Sequence, residues 1–222
     1  MVYVKICGIT HLDDAQAAID CGADAVGFVF APESPRFTAP QEVGRIVAAL
    51  PPFITTVGVV TSGTAEALRR ILDVSGVHLL QFHGTFASDV VQCFAAMAIF
   101  AIRVRDESSL LGIPPFSVRA ILLDAYHEQR LGGSGTTFDW NIAAAARPFG
   151  HIILAGGLTP ENVGAACKKV QPYGVDVSSG VESGVRKKDY DKMARFVLEA
   201  KRAGTRSVEL SPPDHLQKPS CL

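Results

Sequence analysis

The chain has 222 residues, 48% of them hydrophobic and 19% charged, with a formal net charge of -1. That profile excludes a disordered chain and leaves no basic footprint for nucleic acid or an anionic membrane. The length suits one barrel-sized domain.

In chain order, short apolar runs occur at residues 2–6, 25–30, 54–60, 79–82, 100–104, 120–123, 152–155 and 174–177. They are almost continuously apolar instead of alternating, as strands of a parallel sheet buried on both faces must be. Amphipathic stretches separate them. Thr10 with Asp13 predicts a capping box before the first helix, and Thr159-Pro160-Glu161 places a hydroxyl before a proline at a first helical position. After the fifth run, "DESSLLGIPPF" has room for a turn or two of helix only. Eight strand-then-helix units predict an α/β fold, a single (β/α)8 TIM barrel over residues 1–203. Residues 204–222 lose periodicity, gain Pro and Ser, and read as a flexible tail.

Five widely spaced cysteines, Cys7, Cys21, Cys93, Cys167 and Cys221, form no C-x-x-C pair and no cluster with histidine. Neither a disulfide framework nor a zinc site is expected, and no other metal or cofactor. The sequence has no basic-then-apolar leader and no apolar run of the ~18 residues a membrane span needs. A cytoplasmic protein is expected, monomeric or homodimeric, with no nucleic-acid or membrane partner.

Barrels of this kind carry their active sites at the C-terminal ends of the strands. Cys7 ends the first run, where it serves either as a small core hydrophobe or as a reactive thiol. Arg36 lies in the proline-bounded loop "APESPRF", and its planar fork suits a carboxylate. His83 follows the fourth run as a substrate contact or a hydrogen-bonded scaffold group, and Asp124 stands at the tip of "AILLD". The loops "AGGLTPENV" and "DVSSGVESG" follow the last two runs, so Gly156, Gly157, Ser179 and Gly180 are the candidate phosphate cradle.

The stretches "VKICGIT", "GADAVGFVFAPESPR", "QFHG", "LLDA", "GGSGTTFDW", "LAGGLTPENV" and "DVSSGVE" together resemble the phosphoribosylanthranilate isomerase family of tryptophan biosynthesis. The resemblance implies a small phosphorylated substrate and an Amadori rearrangement of N-(5-phosphoribosyl)anthranilate to 1-(2-carboxyphenylamino)-1-deoxyribulose 5-phosphate. It further implies Cys7 as general base and Asp124 as general acid, with Arg36 on the anthranilate carboxylate and the glycine loops on the phosphate. The thiol must then be coaxed toward thiolate, and the carboxyl held well above its ordinary range. Lys5 is read as out of strand parity with the neighbours of Cys7, leaving the helix near Thr10 as another source of positive potential. The glycine-rich segment from residue 132 is expected to cover bound substrate. The sister Amadori isomerase of histidine biosynthesis and a non-catalytic phosphate-binding barrel are the alternatives. The first uses aspartates where Cys7 stands, and the second leaves Cys7, Arg36 and Asp124 together unexplained.

Overall fold

The structure is a computed structural model that describes residues 1–125 and 139–204. The glycine-rich segment at 132–138 and the tail beyond residue 204 lie outside the described residues, and so do the expectations placed on them.

Eight parallel strands close into a barrel in sequence order, with β1 (Tyr3–Cys7) paired to both β2 (Ala25–Val29) and β8 (Gly174–Val177). Between these run β3 (Thr55–Val60), β4 (Leu79–Phe82), β5 (Ala98–Val104), β6 (Ala120–Ala125) and β7 (Ile152–Leu154). All eight predicted runs are strands, with ends displaced by at most about two residues, the usual fraying of such boundaries. The helices are α1 (Leu12–Asp20), α2 (Pro40–Ala48), α3 (Ala65–Ser75), α4 (Ser88–Gln92), α5 (Trp140–Ala145), α6 (Val163–Val170) and α7 (Tyr190–Gly204). After β5 the chain makes only a 3-10 segment, Glu107–Gly112, as its prolines require.

One predicted cap is corrected. Thr10 does not cap α1: its hydroxyl donates to the Arg186 carbonyl at 3.4 Å, and the helix starts after His11, which makes no side-chain cap. Thr159 does accept from the Glu161 amide, at 3.3 Å, but this closes a turn, and α6 proper begins after Asn162.

The main core lies between strands and helices, where Ile6, Phe28, Leu80, Leu123 and Leu154 meet Leu68, Val163, Met193 and Phe196. A second cluster, Val57, Ile99, Leu122 and Ile153 among its members, is separate from it. Lys5, Gln81 and Asp176 are buried polar residues on β1, β4 and β8. Burial of this kind is costly unless each group is paired, so their partners bear on function. No described helix is long and apolar enough to cross a membrane.

Candidate active site

All eight candidate residues, Cys7, Arg36, His83, Asp124, Gly156, Gly157, Ser179 and Gly180, line one cavity at the C-terminal ends of the strands. Cys7 is the last residue of β1 and is buried. Its register partner on β2 is Gly27, and the absence of a side chain there is what admits the thiol. A Cβ on Gly27 would sit 2.8 Å from Cys7 Sγ and 2.9 Å from Lys5 Cε.

Lys5 corrects the parity expectation. It stands two residues before Cys7, and the period of a strand is two, so both side chains share a face. Its ammonium is paired with Asp176 Oδ2 at 2.9 Å and donates to Gln81 Oε1 at 2.8 Å. Burial pushes the Cys7 thiol above its ordinary value; Lys5 and Lys188 pull it down and Asp176 opposes them, and the balance remains upward. The resting group at neutral pH is therefore the thiol.

Asp124 lies within β6, one residue short of its end. Burial raises its carboxyl to about 6, and the charge of Asp176 adds to the effect. This is the direction a proton donor needs. His83 places Nε2 at 3.4 Å from Asp124 Oδ2 and Nδ1 at 3.4 Å from Gln81 Nε2. Burial, then the charges of Arg103 and Lys5, lower His83 to about 4, so the imidazole is neutral.

Arg36 is held from behind. Its Nε and Nη2 donate to Glu182 Oε1 and Oε2 at 2.8 and 2.6 Å, using two of the five guanidinium donors and leaving the rest of the fork available. Glu182 in turn accepts from Lys188 Nζ at 3.0 Å, and the same ammonium donates to the carbonyls of Cys7 and Ser178 at 2.7 and 3.1 Å. Lys188 reaches them because β9 (Glu182–Gly184) and β10 (Lys187–Lys188) form a hairpin that follows β8 after a 3-10 turn at Ser179–Val181. Sequence reasoning gave Glu182 and Lys188 no role, and placed Gln81 and Asp176 at the strand ends without assigning them one. The usable signal was a buried-type spacing, Lys5 and Asp176 inside otherwise apolar strands.

Gly156 and Gly157 carry φ of +79° and +66°, which only glycine adopts without strain. Asn162 pins this turn, donating from Nδ2 to the Gly157 carbonyl at 2.9 Å and accepting from the Thr159 amide at 2.8 Å. The loop after β8 packs directly on it, for a Cβ on Gly180 would collide with the Leu158 carbonyl. The cavity thus has a cationic fork at one region, a glycine turn at another, and a thiol on β1 with a carboxyl of raised pKa on β6.

The family model for N-(5'phosphoribosyl)anthranilate (PRA) isomerase matches residues 4–199. The N-(5'-phosphoribosyl)anthranilate isomerase of Pelobacter propionicus is 46% identical over 208 residues, covering 94% of this chain and 100% of that one. The crystal structure of phosphoribosyl anthranilate isomerase from Thermotoga maritima superposes with a TM-score of 0.85 at 39% identity, covering 91% of this chain and 100% of its own. A crystal structure of the isomerase in complex with reduced 1-(o-carboxyphenylamino)-1-deoxyribulose 5-phosphate gives a TM-score of 0.79 at 37% identity, with 91% and 100% covered.

Proposed function

The chain belongs to the N-(5'-phosphoribosyl)anthranilate isomerase family, and we propose that it performs the Amadori rearrangement of tryptophan biosynthesis with Cys7 as general base and Asp124 as general acid. One observation carries this reading: a single cavity holds a buried thiol beside two ammonium groups and a buried carboxyl raised to about 6.

Asp124 gives its proton to the ring oxygen of N-(5-phosphoribosyl)anthranilate as the furanose opens to a protonated Schiff base. The Cys7 thiolate then removes the C2 proton, and the electron pair moves into an enolamine. Return of a proton to C1 and loss of the C2 hydroxyl proton yield the aminoketose and restore both groups. Every step moves a proton and none moves electrons to an acceptor. Above pH 6 the resting pair is thiol with carboxylate; the reactive pair is thiolate with carboxylic acid, reached by moving one proton between the two sides.

The free donors of Arg36 take the anthranilate carboxylate, and the amides around Gly156, Gly157, Ser179 and Gly180 take the phosphate. His83 lines the wall beside Asp124 and contacts substrate there. Anchoring both ends places C1 and C2 between base and acid, converting remote binding energy into orientation. The reading carries with it a protein that works in the cytoplasm as a monomer or homodimer.

The test is turnover of freshly made N-(5-phosphoribosyl)anthranilate, followed by its anthranilate fluorescence. Cys7→Ser and Asp124→Asn are each expected to lose about a hundredfold or more, the scale of a general acid or base. An active protein with an undiminished Cys7→Ser variant returns Cys7 to the core.

A further inference from the structure

Gln81 is 2% exposed and takes no part in the proton transfers described above, yet it stands between Lys5 and His83. Lys5 Nζ donates to Gln81 Oε1 at 2.8 Å. An ammonium has donors only, so the amide must turn its oxygen to Lys5 and its nitrogen the other way. That nitrogen lies 3.4 Å from His83 Nδ1, and an NH2 group also has donors only, so Nδ1 must offer a lone pair. A neutral imidazole with a bare Nδ1 carries its proton on Nε2. Nε2 is the atom that lies 3.4 Å from Asp124 Oδ2.

We propose that Lys5 and Gln81 are positioning residues that fix His83 as the neutral Nε2-protonated tautomer, so that His83 donates to Asp124 and leaves the acid's own proton for the substrate. The inference deepens the reading of Asp124 as the general acid and rests on it.

Two consequences give the relay its function. With Oδ2 accepting from His83, the carboxyl proton of Asp124 resides on Oδ1, the oxygen that a Cβ on Gly156 would approach to 2.9 Å. The same N–H stabilises the carboxylate formed as the proton leaves. The opposite tautomer would present a lone pair to Asp124, accept its proton in a hydrogen bond and hold it away from the ring oxygen. The far end is anchored as well, because Lys5 is fixed by Asp176 at 2.9 Å. The charged groups acting on Asp124 and His83 are Asp176 from β8, Arg103 from β5 and Lys5 from β1, and all remain in the variants below.

The experiment is 15N NMR of the full-length enzyme labelled at histidine, combined with pH-rate profiles of wild type, Gln81→Glu and Gln81→Met. Wild type is expected to show a pyridine-type Nδ1 and a pyrrole-type Nε2 at His83. A carboxylate at position 81 accepts from both neighbours, so in Gln81→Glu the proton moves to Nδ1. kcat then falls by about tenfold or more, up to the ~10²–10⁴ that general acid catalysis supplies, while KM changes by less than about twofold. The ionisation of Asp124 moves to higher pH, which general damage to the fold would not produce. Gln81→Met adds no charge and is expected to give mixed tautomers with a smaller loss, separating the tautomer from the added carboxylate. A pyrrole-type Nδ1 in wild type overturns the proposal, as does a Gln81→Glu variant that keeps its tautomer or its rate. The acid assignment fails separately: Asp124→Asn would then stay active whatever the histidine spectrum shows.

Discussion

Replacing Asp124 by Asn is expected to lower turnover by about a hundredfold or more and to make the protein more stable. The carboxyl is held at about 6, against an ordinary value of 3.8, chiefly by burial and then by the charge of Asp176. An acid whose folded value is raised binds its proton more tightly in the native state. Between about pH 4 and 6 the native protein keeps a proton that the unfolded chain has released, so stability falls as pH rises through that window and stays low above it. The distance from 3.8 to about 6, at about 1.36 kcal/mol for each pH unit, gives a penalty of about 3 kcal/mol at neutral pH. Asn keeps the shape and the acceptor for the Ala125 amide but carries no charge. Urea denaturation of wild type and Asp124→Asn at about pH 4 and about pH 8 reads the effect directly. The variant should match wild type at the lower pH and exceed it by up to about 3 kcal/mol at the higher. Equal stabilities at both values would refute the claim that burial strains this carboxylate.

Gly27→Ala would drive a methyl to 2.8 Å from Cys7 Sγ and 2.9 Å from Lys5 Cε. A stability loss of about 1–3 kcal/mol and a kcat lowered more than KM is raised are expected from thermal melts and steady-state kinetics. Glu182→Gln leaves Lys188, whose side chain is 0% exposed, without its carboxylate and releases Arg36. Breaking a buried pair in this way costs about 3–5 kcal/mol, and KM should rise because the fork is no longer held; unchanged KM and stability would show the triad to be ornamental. For kcat/KM of the free enzyme, two ionisations are expected, one near pH 6 from Asp124 and one in the thiol range or above from Cys7. A single ionisation in that profile would contradict the coupling of the pair.

Much of the barrel was legible because buried parallel strands have no polar face to disguise them. Leu79–Phe82 and Gly174–Val177 fall where the apolar runs place them. Cap chemistry was less legible: the Thr10 hydroxyl is engaged by the Arg186 carbonyl, 176 residues away, and no local pattern records that competitor. The candidate residues at strand ends converge on one cavity because a closed parallel barrel gathers every C-terminal end at the same mouth. What stayed hidden depends on closure itself. Lys5 meets Asp176 only because β1 pairs with β8, and Lys188 reaches the Cys7 carbonyl only because a hairpin folds back over the mouth. The parity of Lys5 with Cys7 was available from strand geometry alone. Its consequence, an ammonium beside the thiol, required the barrel interior.

Removal of the C2 proton by Cys7 is read by the kinetic isotope effect with substrate deuterated at ribose C2, measured in wild type and in Cys7→Ser. Weakening the base makes proton removal the slowest step, so the Cys7→Ser variant should be slower and show the larger primary effect. A Cys7→Ser enzyme with the rate and isotope effect of wild type would contradict the assignment.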